Sequence, residues 1–295
     1  MNIIEQLEQL NLSDYPIAEI DRLLTSLEEI MFMTYDFHAP NNSQVPIWIV
    51  RAVNNTREEP EFNSIARISF KPSAYNNSYL RASTPKNTMF YGSMILPEDF
   101  YMNQFKSFQI VASTEVSSLI KNSEILEGLS RITFGKWEIV NKLSLVTIID
   151  PNLNYDHTYL NNLKEKYIEL LNNRPIEIKQ KTLRCLEFLS SEFSKYVSNG
   201  NNHEYLISSK FTEIFTKSSS SDGIIYPSVQ SKGFGLCVAI HPRAMNKLKL
   251  TYVLQSKIKK SISDDGDFLI EIEEEKNCHL TDRADKFELK EIAKK

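Results

Sequence analysis

Five side chains in this 295-residue sequence are of types that could hold and cleave a charged substrate: Arg51, Arg81, Tyr91, Glu115 and Ser228. Arg51 lies near the end of the apolar run IWIVRAV (47–53). A charge there is costly to bury unless it is paired or bound to an anion; the alternative is a strand-end arginine in solvent. Arg81 sits in the loop YLRASTP, either as a second cation for an anionic ligand or as an ordinary loop arginine. Tyr91 stands in FYGS, where Gly92 lets the backbone approach a neighbour closely, so its ring suits a ligand platform or the core. Glu115 is surrounded by Ala112, Ser113, Thr114, Ser117 and Ser118, which is compatible with a carboxylate facing a cleft and with a solvated helix face. Ser228, in YPSVQ, follows the stiff Pro227 and has no neighbouring His or Lys, so a positioning hydrogen bond suits it better than nucleophilic attack.

Several familiar chemistries lack their marks. No GxGxxG follows a strand, and no Walker A run, GxSxG elbow or HExxH exists. The five histidines are scattered. Cys278-His279 has no second ligand pair at zinc spacing, so no metal is expected. The three cysteines, Cys185, Cys237 and Cys278, are far apart and odd in number, as expected of reduced thiols in a cytoplasmic protein. The net charge of −4, with Lys and Arg spread along most of the chain, argues against nucleic acid as a partner. The start MNIIEQLEQLNL has no basic n-region, and no apolar run approaches the roughly 20 residues of a membrane span, so no membrane association is expected.

The elements that must position these residues follow from periodicity. Residues 1–35 are expected to be helical, with Ile17, Ile20, Leu23, Leu24, Leu27 and Ile30 on one face, either packed on the domain behind or offered to a partner. FHAPNNSQVP (37–46) is a linker, and IWIVRAV and SIARISF are strand candidates. The stretch 106–120 is a helix, or a strand turning into one. RITFGKWEIVNKLSLVTIID (131–150) reads as two strands joined at Gly135-Lys136. Helices are expected over 157–175, over 179–198 with Leu183, Leu186, Leu189, Phe193 and Tyr196 in its stripe, and over 204–218. GLCVAIHP and KLKLTYVLQSKI are strands, and FLIEIEEE is a candidate edge strand. Helices and strands mixed without a regular βαβ repeat indicate an α+β fold with a mixed sheet. SDGIIYPSVQSKGFG (221–235) holds three of the eight glycines, which suits a surface hairpin or a backbone made permissive for a ligand.

Taken in order, WIVRAV, YLRASTPKNTMFYGS, ASTEVSSL and DGIIYPSVQSKGFGLCVAI resemble, in sequence and approximate spacing, the blocks of the RES domain family, over roughly residues 45–255. The resemblance implies an α+β fold like that of ADP-ribosyltransferase toxins, with a strongly bent, split mixed sheet around an NAD cleft. It divides the chain into a helical extension (1–40), the RES domain (41–262) with a helical insertion near 155–200, and a charged segment (263–295). It implies an NAD-consuming enzyme that breaks the nicotinamide–ribose bond by phosphorolysis or hydrolysis, as a bacterial toxin or defence effector. Transfer of ADP-ribose to a protein and an inactive nucleotide- or partner-binding module are the alternatives. NAD would be substrate, with phosphate as a candidate co-substrate and no resident cofactor. A cognate antitoxin protein and a second copy of the chain are the candidate partners. Carried over by motif, the family's arginine falls on Arg51, its tyrosine on Tyr91, its glutamate on Glu115 and its serine on Ser228, with Arg81 at a second basic position. On that assignment Arg51 and Arg81 hold the pyrophosphate, Tyr91 stacks on nicotinamide, Glu115 stabilises the oxocarbenium-like ribose and Ser228 fixes the geometry.

Overall fold

The computed structural model describes residues 2–27, 30–40, 47–95, 105–122, 124–155, 158–198, 200–218, 221–228, 235–263, 265–281 and 285–293. Their helices are α1 (Ile3–Glu8), α2 (Ile17–Thr25), α3 (Phe105–Val116), α4 (Ser118–Lys121), α5 (Thr158–Asn172), α6 (Ile176–Ser194) and α7 (Leu206–Ser218). Their strands are β1 (Thr34–Phe37), β2 (Trp48–Asn54), β3 (Phe90–Ile95), β4 (Gly128–Ile139), β5 (Leu143–Thr147), β6 (Gly223–Pro227), β7 (Leu236–Ile240), β8 (Leu248–Ile262), β9 (Phe268–His279) and β10 (Lys290–Glu291). The class is α+β, with mostly antiparallel strand pairs. The chain divides into two compact units. The first comprises Met1–Phe37, Lys71–Phe90 and Leu143–Ala244; the second comprises His38–Phe70, Tyr91–Lys142 and Met245–Lys295.

In the first unit the strands run in the order β1-β5-β6-β7. β5 and β6 are parallel, and a parallel pair needs a long crossover. The helices α5, α6 and α7 supply it, which accounts for the run of helical periodicity between residues 158 and 218. α2 packs on α7 through the predicted face, burying Ile20, Leu23 and Leu24. The helical stretch expected over 1–35 is two short helices, broken where Tyr15 takes a left-handed backbone (φ 51°) and Pro16 follows it, and β1 begins at Thr34. Tyr196 also departs from expectation: α6 ends at Ser194 and the ring is exposed.

The stretch 221–235 is a hairpin, but a buried one. β6 pairs antiparallel with β7 from Gly223–Ile240 to Pro227–Leu236, and the Ser228 N–H extends the ladder to the Gly235 carbonyl at 2.8 Å. Every residue of both strands is buried. Pro227 is tolerated because the β5–β6 ladder stops at Thr147–Ile225, so its missing N–H is not needed on that side. Residues 229–234, Gly233 among them, lie outside the described residues.

At the other end of β6, the Asp222 carboxylate accepts the Ser144 N–H at 2.8 Å, and the Asp222 carbonyl accepts from His241 N at 2.8 Å. His241 Nδ1 in turn accepts the Arg243 N–H at 3.2 Å. Burial, then the charges of Arg243 and Lys217, hold the imidazole below its ordinary pKa of 6.5. The unfolded chain therefore binds this proton more readily than the folded one, and stability is lost as pH falls from the ordinary value through the folded one. His241→Gln should flatten that slope. Urea midpoints compared at about pH 7.5 and about pH 5.5 should fall less in the variant than in the wild type.

In the second unit the order is β3-β2-β4-β8-β9-β10, with antiparallel pairs throughout. α3 and α4 cover one face, where Ala112 joins Val50, Ala52, Ile132, Phe134, Leu254 and Ile258 in an apolar cluster. β4 runs unbroken through Gly135-Lys136, against the expected turn there. A Cβ at Gly135 would lie 3.0 Å from Trp137 Nε1 and 3.2 Å from Leu250 Cδ1, so this glycine serves close packing within a strand. SIARISF is a short 3-10 turn (Ile65–Ile68) whose Ile68 fills the space beside Gly135. FLIEIEEE (268–275) lies in β9 and pairs with β8 on one side; β10 pairs only with Lys276 and Asn277, so among the described residues this stretch is an edge, as expected. Its Glu271 pairs with Lys259 at 3.0 Å.

Candidate active site

Alternation along β2 sends Val50 and Ala52 toward α3, and Ile49, Arg51 and Val53 to the opposite face. β2 pairs with β4 along its whole length, from Trp48 to Asn54. Its ladder with β3 covers only Trp48–Ile95, Ile49–Met94 and Val50–Ser93. Arg51 is thus the first residue past the paired stretch. Its side chain reaches toward β3, where Nη1 donates to the Tyr91 carbonyl at 3.0 Å.

Arg51 Nε is buried. Desolvation pushes the guanidinium pKa down to about 10, with Tyr91 acting weakly in the other direction. The group therefore remains a cation at neutral pH, in surroundings that penalise its charge. An anion placed there would regain that electrostatic cost. A planar fork of donors suits a pyrophosphate or a carboxylate.

Glu115 stands in the last turn of α3, half-buried, and flanks the stripe formed by Ala112 and Val116. Asn54 Nδ2 donates to the Val116 carbonyl at 2.6 Å and ties the end of the helix to the end of β2. The second unit thus holds Arg51, Tyr91 and Glu115 around one strand. Arg51 and Tyr91 are joined by a hydrogen bond, and Glu115 rises from a helix on the face of β2 opposite the base of Arg51.

Arg81 and Ser228 belong to the first unit. Arg81 caps a helix: Nη1 donates to the Phe193 carbonyl and Nη2 to the Lys195 carbonyl at 3.0 Å, both at the C-terminal end of α6. Its guanidinium also lies 5.3 Å from the centre of the Tyr205 ring. A cation there satisfies orphan carbonyls and meets the negative end of the helix dipole. The loop around it is braced by Asn76 Nδ2, which donates to the Thr84 carbonyl at 2.8 Å, and by the Ser83 hydroxyl, which accepts from Met89 N at 3.0 Å. The block YLRASTPKN therefore has a local structural account. Ser228 is 1% exposed and directly follows β6.

Sequence reading passed over Asn54. Its one signal is position, as the first of six consecutive polar residues (54–59) where an apolar strand ends. Lys136 was missed as well; it lies over the Trp48 ring at 3.4 Å, and burial lowers its pKa. Register alone carries that pairing.

Among the described residues no group of three or more His, Cys, Asp or Glu side chains could hold a metal ion. No helix among them is long and apolar enough to cross a membrane. Comparison with family models, with curated proteins and with solved structures finds no match for this chain.

Proposed function

We propose that this protein is an NAD-consuming enzyme of the RES type, which cleaves the nicotinamide–ribose bond by phosphorolysis or hydrolysis and acts as a bacterial toxin or defence effector. The observation that carries the reading is the buried Arg51 cation, set where β3 leaves β2 and bonded to the backbone of Tyr91. The short β2–β3 ladder, which ends one residue before Arg51, supports an opening beside that side chain.

On this reading Arg51 binds the pyrophosphate and Tyr91 offers its ring to the nicotinamide. The C1′–N bond breaks with its electron pair going to the nicotinamide, which leaves neutral. The positive charge that develops on the ribose is stabilised by the Glu115 carboxylate, which has to reach it past the end of β2 because its helix covers the other face of that strand; an oxygen of phosphate, or of water that gives up a proton to solvent, then bonds to C1′. The contacts of Arg81 at the end of α6 favour a supporting role for it over direct pyrophosphate binding. A cognate antitoxin that covers the cleft and a homo-oligomer are the partners this reading expects.

Product analysis after incubation of the purified chain with NAD, with and without inorganic phosphate, tests the proposal. ADP-ribose phosphate formed only with phosphate means phosphorolysis, free ADP-ribose means hydrolysis, and a modified protein means transfer. Intact NAD in both arms would overturn the proposal in favour of a binding module.

A further inference from the structure

A polar pocket lies in the second unit where β2 ends, β4 begins and α3 gives way to α4. Its volume is 560 Å³, within the usual range for a small-molecule site. Three of its residues carry buried polar atoms that lack a hydrogen-bond partner: Asn54 Oδ1, Asn55 Nδ2 and Ser117 Oγ. Ser117 is only 1% exposed, and although it opens α4 it makes no capping bond. Each asparagine is held by its other amide atom. Asn54 Nδ2 donates to the Val116 carbonyl, and Asn55 Oδ1 accepts from the Thr133 hydroxyl at 2.9 Å. These bonds orient both amides and leave one acceptor and one donor unsatisfied, an arrangement that costs stability without a ligand.

The rest of the lining indicates what would satisfy them. Thr56, Ser118 and Ser130 add hydroxyls, and Pro60, Leu119 and Leu129 add apolar surface. Arg57 and Arg131 are the charged residues of the lining, and no carboxylate joins them. Arg131 is engaged by Glu275 through two bonds of 2.6 and 3.2 Å. Arg57 is exposed, and among the described residues it has no hydrogen-bond or ion-pair partner. With Arg131 already paired to Glu275, the exposed Arg57 is the charge the lining offers a ligand, and it favours an anion. Unsatisfied donors and acceptors side by side call for hydroxyl groups, which are both, and small apolar surfaces suit the C–H face of a sugar ring.

We propose that this pocket is a binding site for a small phosphorylated sugar, with Arg57 on the phosphate and with Asn54, Asn55 and Ser117 on the ring hydroxyls. The site is built from other side chains than Arg51, Tyr91, Glu115 and Ser228, and its occupation does not depend on NAD cleavage.

The test is calorimetric titration of the full-length chain with ribose 5-phosphate, ribose or inorganic phosphate, for the wild type, Arg57→Ala, Ser117→Ala and Arg51→Ala. Ribose 5-phosphate is expected to bind, with ribose and phosphate each far weaker. Arg57→Ala should weaken it roughly tenfold or more, the loss of one charge-assisted contact. Ser117→Ala should weaken it less, Arg51→Ala should leave it unchanged, and the unliganded melting temperatures of Arg57→Ala and Ser117→Ala should match the wild type. Absence of binding at millimolar ribose 5-phosphate, or binding that neither Arg57→Ala nor Ser117→Ala weakens, would overturn the proposal. Phosphate alone binding as tightly would overturn its sugar part. A loss on Arg51→Ala equal to that on Arg57→Ala would merge the pocket with the NAD site and overturn its independence. Because no arm contains NAD, failure here leaves the proposed activity standing, and failure of that activity leaves this result standing.

Discussion

Arg51→Ala should lower the rate of nicotinamide release from NAD by about 10²–10³-fold, the usual cost of removing a preorganised electrostatic contact from a water-poor site. The side chain is a cation that burial has already made expensive, with a pKa pushed down to about 10. Its value is greatest when an anion lies against it. Arg51→Lys should recover only part of the loss, since a lysine keeps the charge but not the two-pronged geometry. The fold itself should survive the alanine change. The loss includes the hydrogen bond to the Tyr91 carbonyl, worth about 1–3 kcal/mol for a charged donor, and is set against the relief of a desolvated charge. A melting temperature close to that of the wild type, together with a rate loss of less than about tenfold, would remove Arg51 from the substrate site.

The largest effect on stability is expected at Gly223. A Cβ there would sit 2.1 Å from the Ala239 carbonyl oxygen and 2.9 Å from Ile240 Cα. Both atoms are backbone of β7, so no side chain can swing away. Relief requires β6 and β7 to move apart, although both strands are buried along their whole length and β6 is also paired to β5. Gly223→Ala should therefore cost about 3 kcal/mol or more, at the upper end for overpacking, and should be read as a lowered denaturant midpoint or as insoluble expression. Gly135→Ala gives the contrast. Its nearest neighbours, at 3.0–3.3 Å, are the side-chain atoms of Trp137, Leu250 and Ile68, which can shift, so the loss should be smaller. Equal losses at the two glycines would refute the close-approach account of Gly223.

The two glycines also show where sequence reading reached and where it stopped. A glycine in a strand marks either a turn or a close approach, and the choice depends on which backbone lies across from it, information held by residues far away in the chain. Gly135 was read as a turn and lies mid-strand. The cluster at 221–235 raised a choice between a surface hairpin and a ligand loop, and the described part is a hairpin that is wholly buried. The long amphipathic helices α6 and α7 and the apolar strands β2, β7 and β8 were legible because their periodicity is local. Tyr15 in its left-handed turn was not, since that is a matter of one backbone angle.

Residue type and position singled out Arg51, Tyr91 and Glu115, but not their geometry. The departure of β3 from β2 at Arg51 is a property of two ladders, and no stretch of sequence states it. For Arg81 the sequence offered a basic residue in a loop, and the structure gives it the carbonyls at the end of a helix more than a hundred residues away.

The most direct measurement of the central claim is nicotinamide release from NAD by the purified wild type and by Glu115→Ala, the variant that removes the proposed stabiliser of the ribose cation. The wild type should release nicotinamide in step with NAD loss, and Glu115→Ala should do so at least about a hundredfold more slowly with an unchanged melting temperature. Equal slow loss of NAD in the two proteins, or no release by the wild type, would contradict the assignment.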